Sequence, residues 1–292
     1  MTLNIRSDES GDIATYGSYR PSPHTLWLIN VIRRIPPTWL GRRLMFALRR
    51  LAALGVGQEV DIELFGFEMR LNSRGNVSEK RALYAPQFFD LVERRMLASL
   101  AEEQAVFIDI GANIGLYSFS TAVTFKNFKD TRILAIEPHP VASRRLAYNL
   151  SLNPELPIEL IEAGLSDRKG KMTMVTSGAN LGESRLLKNG ETPLGETHEV
   201  PVNTLLDLIS SQDLNRLDGM KIDIEGFEEV VLTPFFDQAP EHLLPKLIII
   251  ENNYEKWHSN LMNVAGNRGY SLKKKTRMNV ILEKNNWRKH KQ

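Results

Sequence analysis

The 292-residue sequence predicts an α/β fold: a doubly wound, mostly parallel Rossmann-like sheet that follows a helical N-terminal extension. From Val106 onward, short apolar runs typical of buried parallel strands alternate with segments of helical periodicity. Four of these runs end in acids, which are Asp109, Glu137, Asp223 with Glu225, and Glu251. Because the carboxyl ends of parallel strands meet at one edge of such a sheet, we expect these carboxylates to line one ligand crevice.

The composition is that of a globular protein. Hydrophobic residues make up 42% and charged residues 25%, so neither disorder nor membrane insertion is indicated overall. The chain has no cysteine, which excludes disulfides, thiolate metal sites and a cysteine nucleophile. Residues 1–23 are polar and unlike a secretory signal, and the apolar run at 26–32 is too short to span a bilayer. These features predict a cytoplasmic protein.

Residues 38–54 predict an amphipathic basic helix. Leu40, Leu44, Leu48 and Leu51 share one face, and four arginines lie on the other. One interpretation is a helix packed on the main domain with its arginines in solvent, which is the usual situation for a charged face. The other is peripheral attachment to an anionic membrane surface or a polyanion.

The remaining elements follow from periodicity and from turn residues. We expect a hairpin or bent strand at 59–71, one helix at 82–100, and a hairpin with a long loop between 164 and 200. Further strands are predicted at 106–110, 132–136, 158–161, 220–224 and 246–250. Further helices are predicted at 116–124, 139–152, 205–214 and 227–232.

The glycines between the first strand and its helix indicate which ligand is bound. A dinucleotide fingerprint counted from Gly111 needs glycine at the third and sixth positions, where this chain has Asn113 and Leu116. S-adenosylmethionine has ribose and adenine but no pyrophosphate, so it does not need those glycines. We therefore predict S-adenosylmethionine as cofactor, with Glu137 on its ribose and Asp109 near its amino group or sulfonium. In the alternative interpretation, Gly111 and Gly115 are only turn residues and Glu137 is an ordinary acid at the start of a helix. We favour the cofactor site because the glycines and the acid occur together at this spacing.

Asp223 and Glu225 are the predicted catalytic residues. Methyl transfer mainly needs an acceptor held in line with the methyl group, and a hydroxyl acceptor benefits from a base. Asp223 falls in an otherwise apolar predicted strand, where an unpaired carboxylate would be costly. With Glu251 the pair could instead hold a divalent cation through oxygen ligands, but the spacing is weak support and we predict no metal site. His139 and His198 are alternative bases, although an isolated histidine is more often structural.

With these residues in hand, the chain resembles the FkbM family of S-adenosylmethionine-dependent methyltransferases, within the class I methyltransferase fold. The matching segments are Phe107-Ile-Asp-Ile-Gly-Ala-Asn-Ile-Gly-Leu-Tyr-Ser118, Ile136-Glu-Pro-His-Pro140 with Asn149, Ala163-Gly-Leu-Ser-Asp167, Asn203-Thr-Leu-Leu-Asp207, Lys221-Ile-Asp-Ile-Glu-Gly-Phe-Glu228 and Ile249-Ile-Glu251. They cover about 107–270 in the family's order, which makes the set specific. Leu116, where an aromatic is frequent, and Leu206, in a shifted Leu-Asp pair, depart from the pattern.

The resemblance implies roles for individual residues. Cofactor contacts are implied at Asp109, Gly111, Asn113, Gly115 and Glu137, with Ser166 and Asp167 near the adenine. Asp223 and Glu225 are implied to flank the transfer site. The resemblance does not extend to residues 1–56. From the whole sequence we predict a basic helical extension (1–56), a hairpin and helix lid (57–104), the FkbM-type methyltransferase domain (105–285) and a basic tail (286–292).

The predicted reaction is O-methylation of a saccharide, a polysaccharide or a natural product, as the family resemblance implies. The rival is a non-catalytic Rossmann-like protein that binds an anionic polymer or membrane surface. An NAD-dependent oxidoreductase is disfavoured by the missing glycines. Residues 271–292 carry eight Lys or Arg against one Glu, but no aromatic except Trp287 is interleaved with them, so no nucleic-acid partner is expected.

Overall fold

The computed structural model describes residues 14–36, 38–176, 184–187, 190–252, 261–285 and 287. The helices are α1 (Pro23–Arg34), α2 (Trp39–Leu54), α3 (Val77–Tyr84), α4 (Leu91–Ala98), α5 (Leu116–Phe125), α6 (Pro140–Ser151), α7 (Leu205–Ser211), α8 (Glu228–Gln238) and α9 (Leu261–Asn267). The strands are β1 (Glu59–Leu64), β2 (Phe67–Asn72), β3 (Val106–Ile110), β4 (Arg132–Ile136), β5 (Ile158–Ile161), β6 (Gly164–Leu165), β7 (Gly170–Thr176), β8 (Arg185–Leu186), β9 (Glu196–Asn203), β10 (Gly219–Ile222), β11 (Leu247–Glu251), β12 (Tyr270–Lys275) and β13 (Asn279–Lys284). No helix in these ranges is both long and apolar enough to cross a bilayer.

The central sheet has seven strands in the order β12-β13-β11-β10-β3-β4-β5. Strands β11, β10, β3, β4 and β5 are parallel, and β13 runs antiparallel between β11 and β12. Chain order reverses between β3 and β10, which is the switch point where doubly wound sheets bind ligands. The prediction of a doubly wound, mostly parallel sheet of the class I methyltransferase type is confirmed.

Alternation along the strands divides the hydrophobic core into two layers. Phe107, Ile133 and Ile249 face one layer, which they share with α5 and the N-terminal elements. Ile108 and Leu134, each one residue further along, face the other layer with α7, α8 and α9. The strands are therefore apolar on both faces, as a parallel sheet covered on both sides requires.

The predicted hairpin at 59–71 is confirmed as β1 and β2, which pair through a turn with positive φ at Phe65 and Gly66. It is attached to α6 by Asn149, whose side chain accepts from the backbone N–H of Arg70 at 2.8 Å. The guanidinium of Arg70 in turn pairs with the buried carboxylate of Asp61 at 2.7 Å. The N-terminal elements thus share the core on one face of the central sheet and are also held to α6 by a hydrogen bond.

The prediction of one helix at 82–100 was wrong. The helix α3 ends at Tyr84, a 3-10 turn covers Pro86–Phe88, and α4 begins at Leu91. The cause is Pro86, whose ring disfavours helical geometry at Ala85 (φ −144°, ψ 57°). After the break, Phe89 and Asp90 both contact Tyr117 in α5.

The helix predicted at 38–54 is confirmed as α2, which Thr38 caps, but the face expected to be packed was wrong. The buried positions are Gly41, Met45 and Ala52, whereas Leu40 and most of the other predicted leucines are exposed.

The hairpin predicted between 164 and 200 is confirmed as β7 and β9, which run antiparallel. Strands β6 and β8, which were not predicted, extend it to four strands in the order β6-β9-β7-β8. Part of the intervening long loop, at 177–183 and 188–189, lies outside the described residues.

Candidate active site

A cavity of about 300 Å³ lies at the carboxyl ends of β3, β4, β10 and β11. Of the predicted site residues, it is lined by Asp109, Gly111, Asn113, Glu137, Asp223 and Glu225, with Glu251 beside them. Gly115, Ser166 and Asp167 do not line it. The strand ends thus bring most of the predicted site together at the switch point of the sheet.

The turn from β3 into α5 has an unusual backbone. Gly111, Asn113 and Gly115 all have positive φ, at 74°, 53° and 87°. A Cβ at Gly111 would lie 2.0 Å from the carbonyl oxygen of Asp223, so glycine is needed where the ends of β3 and β10 pass each other. Gly115 packs against Leu146 and Phe119 instead, which makes it a turn and packing residue in this structure.

Asp109 is 1% exposed at the end of β3. Its Oδ2 accepts hydrogen bonds from the backbone N–H and the hydroxyl of Ser118 in α5, at 3.0 and 2.7 Å. Burial raises the pKa of Asp109, and the nearby ammonium of Lys221 and the bonds from Ser118 oppose that rise. The carboxylate is therefore fixed in orientation at the wall of the cavity.

Glu137 is fixed by two backbone donors at the end of β4. Its Oε2 accepts from the N–H of Asn113 at 2.7 Å, and its Oε1 accepts from the N–H of His139 at 2.8 Å. Each carboxylate oxygen keeps a further lone pair for a ligand hydroxyl. Burial raises the pKa of Glu137 to about 7, because desolvation outweighs the two bonds from backbone N–H groups.

Ser166 and Asp167 lie just beyond Ala163, Gly164 and Leu165, which line the cavity. The hydroxyl of Ser166 donates to Asp167 Oδ1 at 3.1 Å, and the Asp167 side chain is half exposed. Their contact with adenine stays a prediction.

The predicted strand at 220–224 ends at Ile222, so the prediction that Asp223 lies within it was wrong. Asp223 is instead half-exposed at the cavity. The following Glu225 has a φ of 54°, a conformation that costs a side-chain-bearing residue about 1 to 2 kcal/mol. Glu228 Oε1 holds this turn by accepting from the N–H groups of Ile224 and Gly226. The strain at Glu225 therefore lies where the turn presents acids to the cavity, a common location for strain.

Asp223, Glu225 and Glu251 form an acidic cluster, with one carboxylate oxygen of each within 4.8 Å of the others. Burial raises the pKa of Glu251 to about 8, and the negative charges of Asp223 and Glu225 add to the rise. Such a cluster can take up a proton near neutral pH, or its oxygens can hold a hard divalent cation.

Lys221 is a site residue that we did not predict. It is 3% exposed on β10, it pairs in register with Asp109 on β3, and its Nζ lies 2.8 Å from Asp223 Oδ2. Burial alone lowers the pKa of its ammonium, but Asp223 and Asp109 outweigh this and the net pKa is raised. A lysine inside an otherwise apolar strand, next to an acid, was the available signal.

The segment after the hairpin also contributes to the cavity. The Tyr117 hydroxyl donates to Asp90 Oδ2 at 3.0 Å, and the Tyr117 ring lies 4.7 Å from Lys221 Nζ. Arg81 pairs with Asp90 at 3.1 Å, and both line the cavity. On another side, Met278 lines it from the turn between β12 and β13. The role of residues 57–104 as a lid stays a prediction.

Neither histidine that we considered as a base lines the cavity. His139 is buried, its Nε2 lies 2.9 Å from the Thr176 hydroxyl, and burial lowers its pKa to about 4. The His198 ring lies 5.3 Å from that of His139. The pair connects the start of α6 to the second sheet.

Comparison with known proteins gives concordant matches. The methyltransferase sdnD of Sordaria araneosa is 31% identical over an alignment of 153 residues, which covers 43% of this chain and 58% of sdnD. The hexuronic acid methyltransferase AglP of Haloferax volcanii is 27% identical over 140 residues, 47% of this chain and 53% of AglP. The chain therefore spans less than two thirds of both relatives. A crystal structure of methyltransferase FkbM from Methylobacillus flagellatus KT aligns at 13% identity and a TM-score of 0.40, over 89% of this chain and 58% of that one.

Residues 109–288, more than half of the chain, match the model of the methyltransferase FkbM domain. The match begins at Asp109 and includes the strand ends that carry Glu137, Asp223, Glu225 and Glu251. This protein belongs to the FkbM methyltransferase family.

Proposed function

We propose that this protein methylates a hydroxyl group of a saccharide or a natural product, with S-adenosylmethionine as methyl donor. The observation that carries the proposal is the division of one cavity into two sides. The fixed carboxylates of Asp109 and Glu137 line the cavity from β3 and β4, and the acidic cluster lines it from the ends of β10 and β11, on the other side of the switch point. The two sides correspond to a donor subsite and an acceptor subsite.

The donor side fits S-adenosylmethionine. The two oxygens of Glu137, each oriented by a backbone N–H, suit a ribose with two adjacent hydroxyls. Asp109 offers a buried negative charge to a cationic amino acid moiety. Among the described residues, Asn113 Oδ1 in the wall of the cavity is buried without a hydrogen-bond partner, as expected of an acceptor that a ligand would satisfy. Ser166 and Asp167 are proposed to lie near the adenine.

The acceptor side supplies positioning and a base. S-adenosylmethionine, when bound, supplies an electrophilic methyl group on a positively charged sulfur. Asp223 and Glu225 are proposed to orient the acceptor hydroxyl and to take its proton as its oxygen forms the new bond to the methyl carbon, whose bond to sulfur would break to leave S-adenosylhomocysteine. Glu251, whose pKa is raised by burial and by the charges of Asp223 and Glu225, is proposed to tune that proton transfer.

A saccharide acceptor is supported by two observations. AglP is named as a hexuronic acid methyltransferase, and the cavity is lined by groups that can hydrogen-bond to a polyol. These groups are Asn76, Ser78, Arg81 and Arg185. A cytoplasmic location remains part of the proposal and rests on the lack of cysteine.

Isothermal titration with S-adenosylmethionine tests the donor side. The intact protein should bind the cofactor, and Glu137→Gln should weaken binding by about 10- to 100-fold, since hydrogen bonds to a charged group are worth about 1.5 to 3 kcal/mol. Glu162→Gln is the matched control, because Glu162 is an exposed acid just after the next strand, β5. Binding of NAD but not of S-adenosylmethionine would refute the proposal.

Release of S-adenosylhomocysteine with a panel of hydroxylated sugars and glycosylated metabolites tests the acceptor side. Turnover should depend on the acceptor, and Asp223→Asn should reduce it by about 100-fold or more while cofactor binding is kept. If the protein bound the cofactor but methylated only amine acceptors, the proposal of a hydroxyl acceptor would be wrong. The proposed binding of S-adenosylmethionine would not be affected.

A further inference from the structure

The helix α2 is packed through a narrow stripe and leaves most of its surface exposed. Its buried positions, Gly41, Met45 and Ala52, lie at the spacing of a single helical seam. The rest of the helix faces solvent except for the half-buried Leu48 and Arg49. The helix is therefore attached to the fold by one edge.

An apolar stripe runs along one exposed side of α2. We call it the leucine stripe, and it consists of Leu40, Leu44, Leu51 and Leu54. These side chains are 53 to 86% exposed, and their spacing places them one above another on the helix, together with Ala47. A contiguous apolar surface of this kind usually marks a site of interaction.

Arginines and aromatics occupy the other exposed side. The arginines are Arg42, Arg43, Arg49 and Arg50, and α2 contains no Asp or Glu. Within the described ranges, no ion pair involves these four guanidinium groups. Arg43 instead lies 4.1 Å from the ring of Trp39, and Arg49 lies 5.1 Å from the ring of Phe46. Both aromatic rings are themselves more than half exposed.

The composition of this surface identifies its partner. Leucine, tryptophan and phenylalanine beside uncompensated arginines are typical of helices that lie in the plane of an anionic membrane surface. Tryptophan is enriched at the level of the lipid headgroups, because its apolar ring can contact the acyl chains there while its N–H group stays hydrated. A second copy of the chain is a poorer partner, because a symmetric contact through α2 would place two sets of arginines against each other.

We propose that α2 docks on a membrane that carries anionic lipids. The leucine stripe lies at the boundary between headgroups and acyl chains, and the arginines bind lipid phosphates. The helix lies on the membrane without crossing it, in keeping with its length of 16 residues and its four charges. This proposal is independent of the methyl-transfer chemistry, since none of these residues lines the cavity.

Cosedimentation of the 292-residue protein with vesicles tests the proposal. The protein should bind vesicles of phosphatidylcholine with phosphatidylglycerol, should not bind phosphatidylcholine alone, and should be released by high salt. Leu44→Glu combined with Leu51→Glu should abolish binding, because two charges would have to enter the apolar boundary. Leu194→Glu is the matched control, since Leu194 is 83% exposed elsewhere, between β8 and β9.

The charge requirement has its own variants. Arg43→Gln with Arg50→Gln should weaken binding by about 30-fold, from about 1 kcal/mol for each arginine at an anionic surface. Arg74→Gln with Arg95→Gln, at exposed arginines outside α2, should leave binding unchanged. Equal midpoints of urea unfolding would show that all variants are folded. The proposal would be overturned if the protein failed to bind anionic vesicles, or if it bound anionic vesicles and phosphatidylcholine vesicles equally. It would also be overturned if the wild type were a dimer and the leucine variant a monomer, because the leucine stripe would then be a contact between two copies of the chain.

Discussion

Lys221 Nζ lies 2.8 Å from Asp223 Oδ2, and this ion pair joins the two sides of the cavity. Lys221 is the register partner of Asp109, the buried acid at the end of β3, while Asp223 belongs to the acidic cluster. One ammonium thus opposes the negative charge of Asp109 and that of the acidic cluster. The ring of Tyr117 covers it at 4.7 Å, so the charge is shielded from solvent and interacts strongly with both carboxylates.

Lys221→Met should be strongly destabilising. Removing the ammonium leaves the buried carboxylate of Asp109 without its nearby cation, and an uncompensated buried charge costs up to about 3 to 5 kcal/mol. The half-exposed Asp223 contributes less to the loss, because solvent screens its charge. Urea unfolding measures the loss. Lys171→Met is the control, because Lys171 also pairs with a carboxylate, Glu199, at 2.6 Å, but on the surface, and it should leave the midpoint nearly unchanged. Equal midpoints for the two variants would contradict a structural role for the Lys221 ammonium.

Gly111→Ala should disturb both stability and cofactor binding. Positive φ alone costs alanine about 1 to 2 kcal/mol, and the clash with the Asp223 carbonyl should add about 1 to 3 kcal/mol by overpacking. Gly66→Ala separates the two effects, since Gly66 has a φ of 85° but open space around its Cβ position. Gly111→Ala should have a clearly lower midpoint of thermal unfolding and a weaker affinity for S-adenosylmethionine than Gly66→Ala. Indistinguishable variants would mean that β3 and β10 do not meet as closely as described.

Affinity for S-adenosylmethionine should rise with pH and level off above about 7. Burial raises the pKa of Glu137 to about 7, and only its ionised form offers both oxygens as acceptors to a ribose. Below that value the competent fraction, and with it the affinity, should fall by about tenfold per pH unit. Titration calorimetry across this range checks the trend, and Glu137→Gln should flatten it. A wild-type affinity that does not change with pH would exclude Glu137 as the titrating contact.

The central sheet could be predicted because its signals are local. Strands such as β3 are apolar on both faces, and the glycines at 111 and 115 mark the turn into α5. Predictions were wrong where a local pattern was overridden by a single residue or by tertiary packing. Pro86 breaks an otherwise periodic helix, and in α2 the narrow seam of Gly41 and Met45 is packed in place of the more apolar leucine stripe.

The sequence was sufficient to predict which acids lie at the strand ends, but not which side chains contact each other in the site. Asp109, Glu137 and Asp223 were found because topology brings strand ends together. The role of Lys221 depends on its register with Asp109, which a single sequence does not contain. Likewise, Asp90 reaches Tyr117 only because the chain breaks at Pro86 and turns at Asp90, where φ is 39°.

Glu251→Gln should stabilise the protein increasingly as pH rises. The pKa of Glu251 is raised from an ordinary 4.5 to about 8 by burial and by Asp223 and Glu225. The folded state therefore holds a proton that the unfolded chain releases, so the wild type loses stability as pH rises from about 4.5 to about 8. Glutamine cannot ionise and removes that loss, so the difference in unfolding free energy between variant and wild type should grow across this window and become constant above it. Urea unfolding at a series of pH values measures the difference, with Glu241→Gln as control because that side chain is 75% exposed. A difference that stays constant across the window would show that Glu251 ionises as it does in the unfolded chain. Burial and the charges of Asp223 and Glu225 would then not raise its pKa as described.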